Sequence, residues 1–164
     1  MVTLIPILAW VAALLFAGLS LRRAPRPLTR GKIADTLLRY IFLFPIGLMS
    51  LWAAIGHVFF AERAAAAIGW QTSPFQFEVG VANFGIGLSG LYAAFRGFEA
   101  RLATNLVAAG FLGGAGVGHI RDIVEAGNLA PGNAGPILFT DFLTPLVIFG
   151  LLWWQKQGDN LPKG

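Results

Sequence analysis

Apolar residues along this chain neither alternate nor follow one helical stripe; they fall into five long runs separated by short polar segments. Val2 to Leu21, Tyr40 to Ala61, Phe77 to Phe95, Leu102 to Ile120 and Ile137 to Trp154 are nearly free of charge. Each approaches the roughly 20 apolar residues with which a helix crosses the hydrocarbon core of a bilayer. The pattern predicts an all-α fold, an integral membrane bundle of five transmembrane helices over about 2–21, 37–61, 74–95, 102–120 and 137–154, in a single domain covering 1–164. Helices two to five are expected to form an antiparallel four-helix bundle, with helix one as an addition to it. Residues 22–36, with two prolines and five basic residues before Asp35, read as a basic cytoplasmic loop whose second half leads along the interface into helix two.

Charge gives the bundle an orientation. With five spans, Arg22, Arg23, Arg26, Arg30, Lys32, Arg39, Arg96, Arg101, Lys156 and Lys163 fall on one side, and only Arg63 and Arg121 on the other. Positive residues mark the cytoplasmic side, so the N-terminus is expected outside and the C-terminus inside, in the inner membrane of a bacterial cell. The first run has no basic residue before it and a basic cluster after it, the reverse of a cleavable signal peptide, and reads as a retained helix.

Composition adds two exclusions. Hydrophobic residues make up 56% of the chain and charged ones 12%, against about 25% charged in a soluble domain, and mean hydropathy is +0.69, more than a soluble core of this size can hide. The net charge of +4 lies in short loops beside apolar runs, which suits topology and anionic lipid rather than nucleic acid. The chain contains no cysteine, which excludes disulfides, thiolate chemistry, cysteine-held iron–sulfur clusters and covalent haem attachment.

The remaining chemistry gathers near the expected outer ends of the helices. His57 lies about a turn before the end of helix two, Glu78 about a turn inside helix three, His119 at the end of helix four with Asp122 a turn beyond, and Asp141 just over a turn inside helix five; Glu62 lies nearby. Ser73-Pro74-Phe75-Gln76 has the form of a capping box opening helix three, and Pro136 opens helix five after a Gly- and Asn-rich segment. Ile55-Gly56-His57-Val58 is echoed by Val117-Gly118-His119-Ile120 at an offset of 62, which also separates Pro74 from Pro136. Two hairpins related by an axis along the membrane normal would place the two histidines equivalently. Gly110, Gly114 and Gly118, flanked by Gly113 and Gly116, and on helix three Gly80, Gly87 and Gly90, form small-residue patterns suited to close helix packing. Asn83 and Asn105 read as interhelical hydrogen-bonding residues, and Tyr40, Tyr92, Trp153, Trp154 and Trp70 as interfacial anchors.

From about Ile33 to Gln155 the chain resembles the DoxX-like family of small four-helix membrane proteins. The likeness is carried by FPIGLMSLWAAIGH, SPFQFEVGVANFGIGLSG, the basic turn RGFEAR and GFLGGAGVGHIRD. The stretch from Ile68 to Gly80 (IGWQTSPFQFEVG) is also similar to one of the uncharacterised bacterial families of multi-pass proteins of this size. The first resemblance implies membrane redox work, in some relatives sulfur-compound oxidation coupled to quinones, and a membrane redox partner.

Four readings of the polar cluster follow. His57, Glu78, His119, Asp122 and Asp141 could hold zinc, iron or manganese, since bundle metal sites are built from inward-facing carboxylates and histidines. His57 and His119 could instead be axial ligands of a b-type haem, with Arg63 or Arg121 near its propionates. A buried Glu78 or Asp141 exchanging protons with a histidine would serve a proton or quinone site. Finally, the carboxylates could simply favour helix N-termini while the histidines bond across the bundle of a non-catalytic accessory subunit or homo-oligomer that docks through its glycine faces.

Overall fold

A computed structural model describes residues 4–159, with side chains described to Gln157; Val2 and Thr3 of the first expected span, and Lys163, lie outside the described residues. Among the described residues the chain is all-helical. Helix α1 (Ile5–Arg23) has Pro6 in its first turn and Arg22 and Arg23 in its last, where proline loses no hydrogen bond and cations favour the dipole. Helix α2 (Arg30–Ile41) begins earlier than the apolar pattern implies because the Thr29 hydroxyl accepts the Lys32 amide N–H at 3.2 Å. It runs without interruption through a π-helical segment, Phe42–Leu48, into α3 (Met49–Phe59). Pro45, inside the π segment, has no N–H to give, so the wider register falls where a regular helix would lose a bond anyway.

A short helix that the apolar runs do not reveal, α4 (Ala61–Ile68), follows and ends at Gly69 with φ of 83°. Helix α5 (Phe75–Ala94) starts at Pro74, but the expected capping box does not form: Pro74 makes no side-chain cap, and the Gln76 amide is turned to His57 instead. Helix α6 (Phe98–Ala126) is 29 residues long and ends at Gly127 in the left-handed conformation. His119 therefore lies two turns inside this helix, rather than closing it as the sequence suggests. Helix α7 (Pro136–Asp159) opens at Pro136 as expected.

Four long helices close a ring: α3 packs on α5, α5 on α6, α6 on α7, and α7 on α2, while α1 lies outside against α2 and the π segment. The long helix Arg30–Phe59 thus changes partners along its length, from α7 in its α2 half to α5 in its α3 half, and the π segment marks the changeover. Close approach on the α5 side relies on glycine. A Cβ on Gly90 would meet the Gly47 backbone nitrogen at 2.8 Å, and one on Gly87 would meet the Gly47 carbonyl oxygen at 3.0 Å. By contrast, Gly110, Gly113, Gly114 and Gly118 of α6 meet nothing within 4 Å, so the longest glycine pattern in the chain is not a packing seam within it; only Gly116 is pressed, against Phe142.

The interior combines an apolar core around Leu38, Ile41, Phe42, Ile46 and Ile148 with many polar side chains, while large apolar side chains cover the surface. Thr36, Ser50, Gln76, Asn83, Arg101, Thr104, Asn105, His119, Asn133, Asp141 and Thr144 are buried, whereas Leu8, Val11, Leu15, Phe77, Val107, Val117 and Leu146 are exposed. Among the described residues, three helices are long and apolar enough to cross a membrane: Ile5–Arg23, Arg30–Phe59 and Pro136–Gln157.

Candidate functional site

Where the long helix Arg30–Phe59 leaves α7 for α5, a small cavity of about 60 Å3 opens, lined from α1, the π segment, α3, α5, α6 and α7. Ser50 of α3, Asn83 of α5, and Thr140, Asp141 and Thr144 of α7 give it polar groups, and Trp10 of α1 closes one side with its indole N–H bonded to the Thr144 hydroxyl at 3.2 Å. That space holds a few waters and is far smaller than the roughly 300–1,000 Å3 of a small-molecule pocket, so it fits neither a haem nor a quinone ring. Pro145, one turn after Asp141, has no N–H for the Asp141 carbonyl, which leaves this turn of α7 with a free main-chain acceptor.

Asp141 faces His119. The Asp141 Oδ2 lies 3.7 Å from His119 Nε2, with both side chains under a tenth exposed. Gly116, one turn before His119, admits the Phe142 ring and so lets α6 and α7 approach closely enough for this pair to meet. The other imidazole nitrogen, Nδ1, lies 2.6 Å from the Asn133 Oδ1. The amide orientation of Asn133 is fixed independently, because its Nδ2 donates to the main-chain oxygens of His119 and Asn128 at 3.3 and 2.8 Å. Its Oδ1 can only accept, so His119 Nδ1 carries the hydrogen, and in a neutral ring Nε2 presents its lone pair to Asp141.

A cap covers the pair. Gly132 N–H bonds to the Ala67 carbonyl at 2.9 Å and Asn128 Nδ2 to the Ile68 carbonyl at 2.8 Å, which fastens the 127–135 loop to α4. Trp70, expected as a membrane anchor, instead stacks on His119, ring centroids 6.2 Å apart, and donates its indole N–H to Asp122 at 2.9 Å. Hydrogen bonds from Asn128 and from Trp70 hold the Asp122 carboxyl below the ordinary carboxylate range.

The five expected ligands do not assemble. His57 Nδ1 lies 2.6 Å from the Gln76 Oε1, Glu78 is exposed, and Asp122 is turned to the cap. Among the described residues no three His, Asp or Glu side chains form a group able to hold a metal ion. Of the candidates, only His119 and Asp141 form a buried pair. Each histidine Nδ1 does meet an amide oxygen, that of Gln76 in the first turn of α5 for His57 and that of Asn133 in the loop before α7 for His119, but these two amides do not stand at the 62-residue offset.

At the opposite end of the bundle the structure adds a residue that the sequence reading counted only as a surface charge. Arg101 is 1% exposed; it bonds to Asp35 at 2.8 Å and to the carbonyls of Ala93 and Ala94 at 3.2 and 3.3 Å. Those carbonyls end α5 and have no partner within it. The signals available in the sequence were an arginine at the start of an apolar run and Asp35 as the one acid in the basic segment from Arg22 to Arg39.

No curated protein and no solved structure matches the chain. The match that is found carries no link to the DoxX-like proteins and agrees with the other resemblance, to an uncharacterised family. The model of a family of unknown function, DUF6790, matches residues 3–160, and the chain belongs to that family.

Proposed function

We propose that this chain is a multi-pass protein of the bacterial inner membrane with five spanning helices, in which the His119–Asp141 pair exchanges a proton as part of a proton-linked process. The distribution of polarity supports the membrane: large apolar side chains on the surface, with polar side chains turned inward, suit a helical bundle in a bilayer. The observation that carries the site is the geometry of the pair itself. With Nδ1–H committed to Asn133, one further proton has two homes, on the Asp141 carboxyl beside a neutral imidazole or on His119 Nε2 beside a carboxylate. The first state is uncharged and the second an ion pair, so moving the proton between them leaves the net charge of the buried pair unchanged. A separation of 3.7 Å is too long for a direct hydrogen bond, so in this reading the proton crosses through one intervening water.

The test is 15N NMR of histidine-labelled protein in lipid nanodiscs across pH. The His119 ring is expected to keep its hydrogen on Nδ1, and Asp141→Asn is expected to change the Nε2 signal while leaving Nδ1 in place. A neutral ring with its hydrogen on Nε2, or an Nε2 signal that ignores Asp141→Asn, would sink the proposal.

One observation favours a second reading, an accessory subunit that docks another helix: Gly110, Gly114 and Gly118 are open on α6 beside the exposed Leu106, Val107 and Val117. In that reading Gly114→Leu abolishes partner recovery, and His119→Gln with Asp141→Asn does not.

A further inference from the structure

A second cleft, of about 530 Å3, lies far along the chain from the His119–Asp141 pair, between the last turns of α1 and the length of α2. Phe16, Leu19, Ser20 and Arg23 line it from α1, and Lys32 and Tyr40 from α2. Its polarity is graded along its length. On α1 the apolar Phe16 and Leu19 precede Arg23 by one to two turns; on α2, Lys32 and Tyr40 are eight residues, or about 12 Å, apart. On both walls the cation stands at the loop end and the apolar or aromatic side chain toward the middle of the helix. Tyr40 and Phe16 meet there, their rings stacked with centroids 6.1 Å apart.

Charge completes the match. Between Arg22 and Arg39 the chain carries Arg22, Arg23, Arg26, Arg30, Lys32 and Arg39 but only one acid, Asp35. Asp35 is already engaged, by Arg101 at 2.8 Å and Arg39 at 3.7 Å. Among the described residues neither Arg23 nor Lys32 forms an ion pair. The cleft therefore has two exposed cations, two hydroxyls and no carboxylate, above an apolar wall.

We propose that this cleft binds one anionic phospholipid of the inner leaflet, with its phosphate between Arg23 and Lys32 and an acyl chain along Phe16 and Leu19. The proposal rests on the membrane reading above and is independent of the proton site. Diffuse attraction of basic loops to an anionic surface needs no cleft; a single seated lipid does, and so distinguishes these two cations from others on the same side.

Native mass spectrometry of the full chain, released from nanodiscs of equal phosphatidylglycerol and phosphatidylcholine, tests it. Wild type is expected to retain one phosphatidylglycerol in preference to phosphatidylcholine. Arg23→Ala with Lys32→Ala lowers that preference about twenty-five-fold, roughly fivefold for each cation. Arg96→Ala with Lys156→Ala, removing the same charge from the same side, leaves it in place. Equal loss in both double variants, or no preference in wild type, overturns the proposal. So does displacement of the lipid by glycerol phosphate at equal concentration, which would mark a site for free phosphate. Release of the chain from bilayers by alkaline carbonate would count against the membrane reading, whereas retention without lipid preference counts against this inference alone.

Discussion

Arg101 is a fully buried guanidinium whose hydrogen-bonding groups meet two helix-terminal carbonyls and one carboxylate. Removing it takes a donor from the Ala94 carbonyl, leaves the Ala93 carbonyl with the Arg96 N–H alone, and releases Asp35 from its nearer partner. Breaking one side of a buried pair costs about 3–5 kcal/mol, and the one-third exposure of Asp35 puts Arg101→Ala at the lower end, about 3 kcal/mol. Arg101→Lys is expected to recover little, because one ammonium cannot reproduce the planar fork. Thermal unfolding in detergent checks both, and an Arg101→Ala protein as stable as wild type would remove Arg101 from the account. The sequence placed this arginine at the end of the bundle away from the histidines yet could not reveal its burial, since burial depends on Asp35, 66 residues away. The same limit applied at the other end. His119 and Asp141 were legible as candidates, but Asn133, which fixes the tautomer, sat in a Gly- and Asn-rich loop that looked like a connection only. Glu78 and His57 looked equivalent to them because helix position fixes depth and not facing: Glu78 is exposed, and the neighbouring Gln76, buried, takes His57.

Among the helices, glycine separates what packs from what only resembles packing. Gly90 faces the π segment across backbone atoms that cannot swing away, so Gly90→Ala forces α5 off Gly47 and is expected to cost about 1–3 kcal/mol. Gly114→Ala meets open space and is expected to change monomer stability by less than about 1 kcal/mol. Equal melting shifts for the two variants would contradict this arrangement. Both glycines belong to small-residue patterns of the kind that packs helices, so pattern alone could not rank them. The π segment was hidden for a related reason: Pro45 signalled a disturbance, but an apolar run reads alike whether its register is α or π. Its consequence is functional, because the changeover from α7 to α5 leaves the cavity beside Asp141. The length of α6 was likewise concealed, since its last two turns, with Arg121, Asp122 and Glu125, are polar and fall outside any apolar window.

Across the whole molecule, α6 provides a ruler for the proposed orientation. Its 29 residues extend about 43 Å, against roughly 30 Å of hydrocarbon, so part of it must stand clear of the core. Arg101 at one end is buried and partnered, which places that end close to the boundary; the excess then emerges beyond His119, carrying Asp122, Glu125 and the cap. Discounting Arg101 leaves the charge bias intact: Arg22, Arg23, Arg26, Arg30, Lys32, Arg39, Arg96 and Lys156 still face only Arg63 and Arg121. Arg121 is further offset by Glu125 at 2.9 Å. The positive end should therefore be cytoplasmic and the cap external. A chain without native cysteine allows a direct check, with single cysteines at the exposed positions Gly97 and Leu129. In intact spheroplasts an impermeant maleimide is expected to label Leu129→Cys at once and Gly97→Cys only after lysis. Reversed labelling would turn the bundle over and expose the His119–Asp141 cap to the cytoplasm, so protons would reach the pair from the inside, and the basic cleft would face the outer leaflet. Labelling of both before lysis would argue against a span between them.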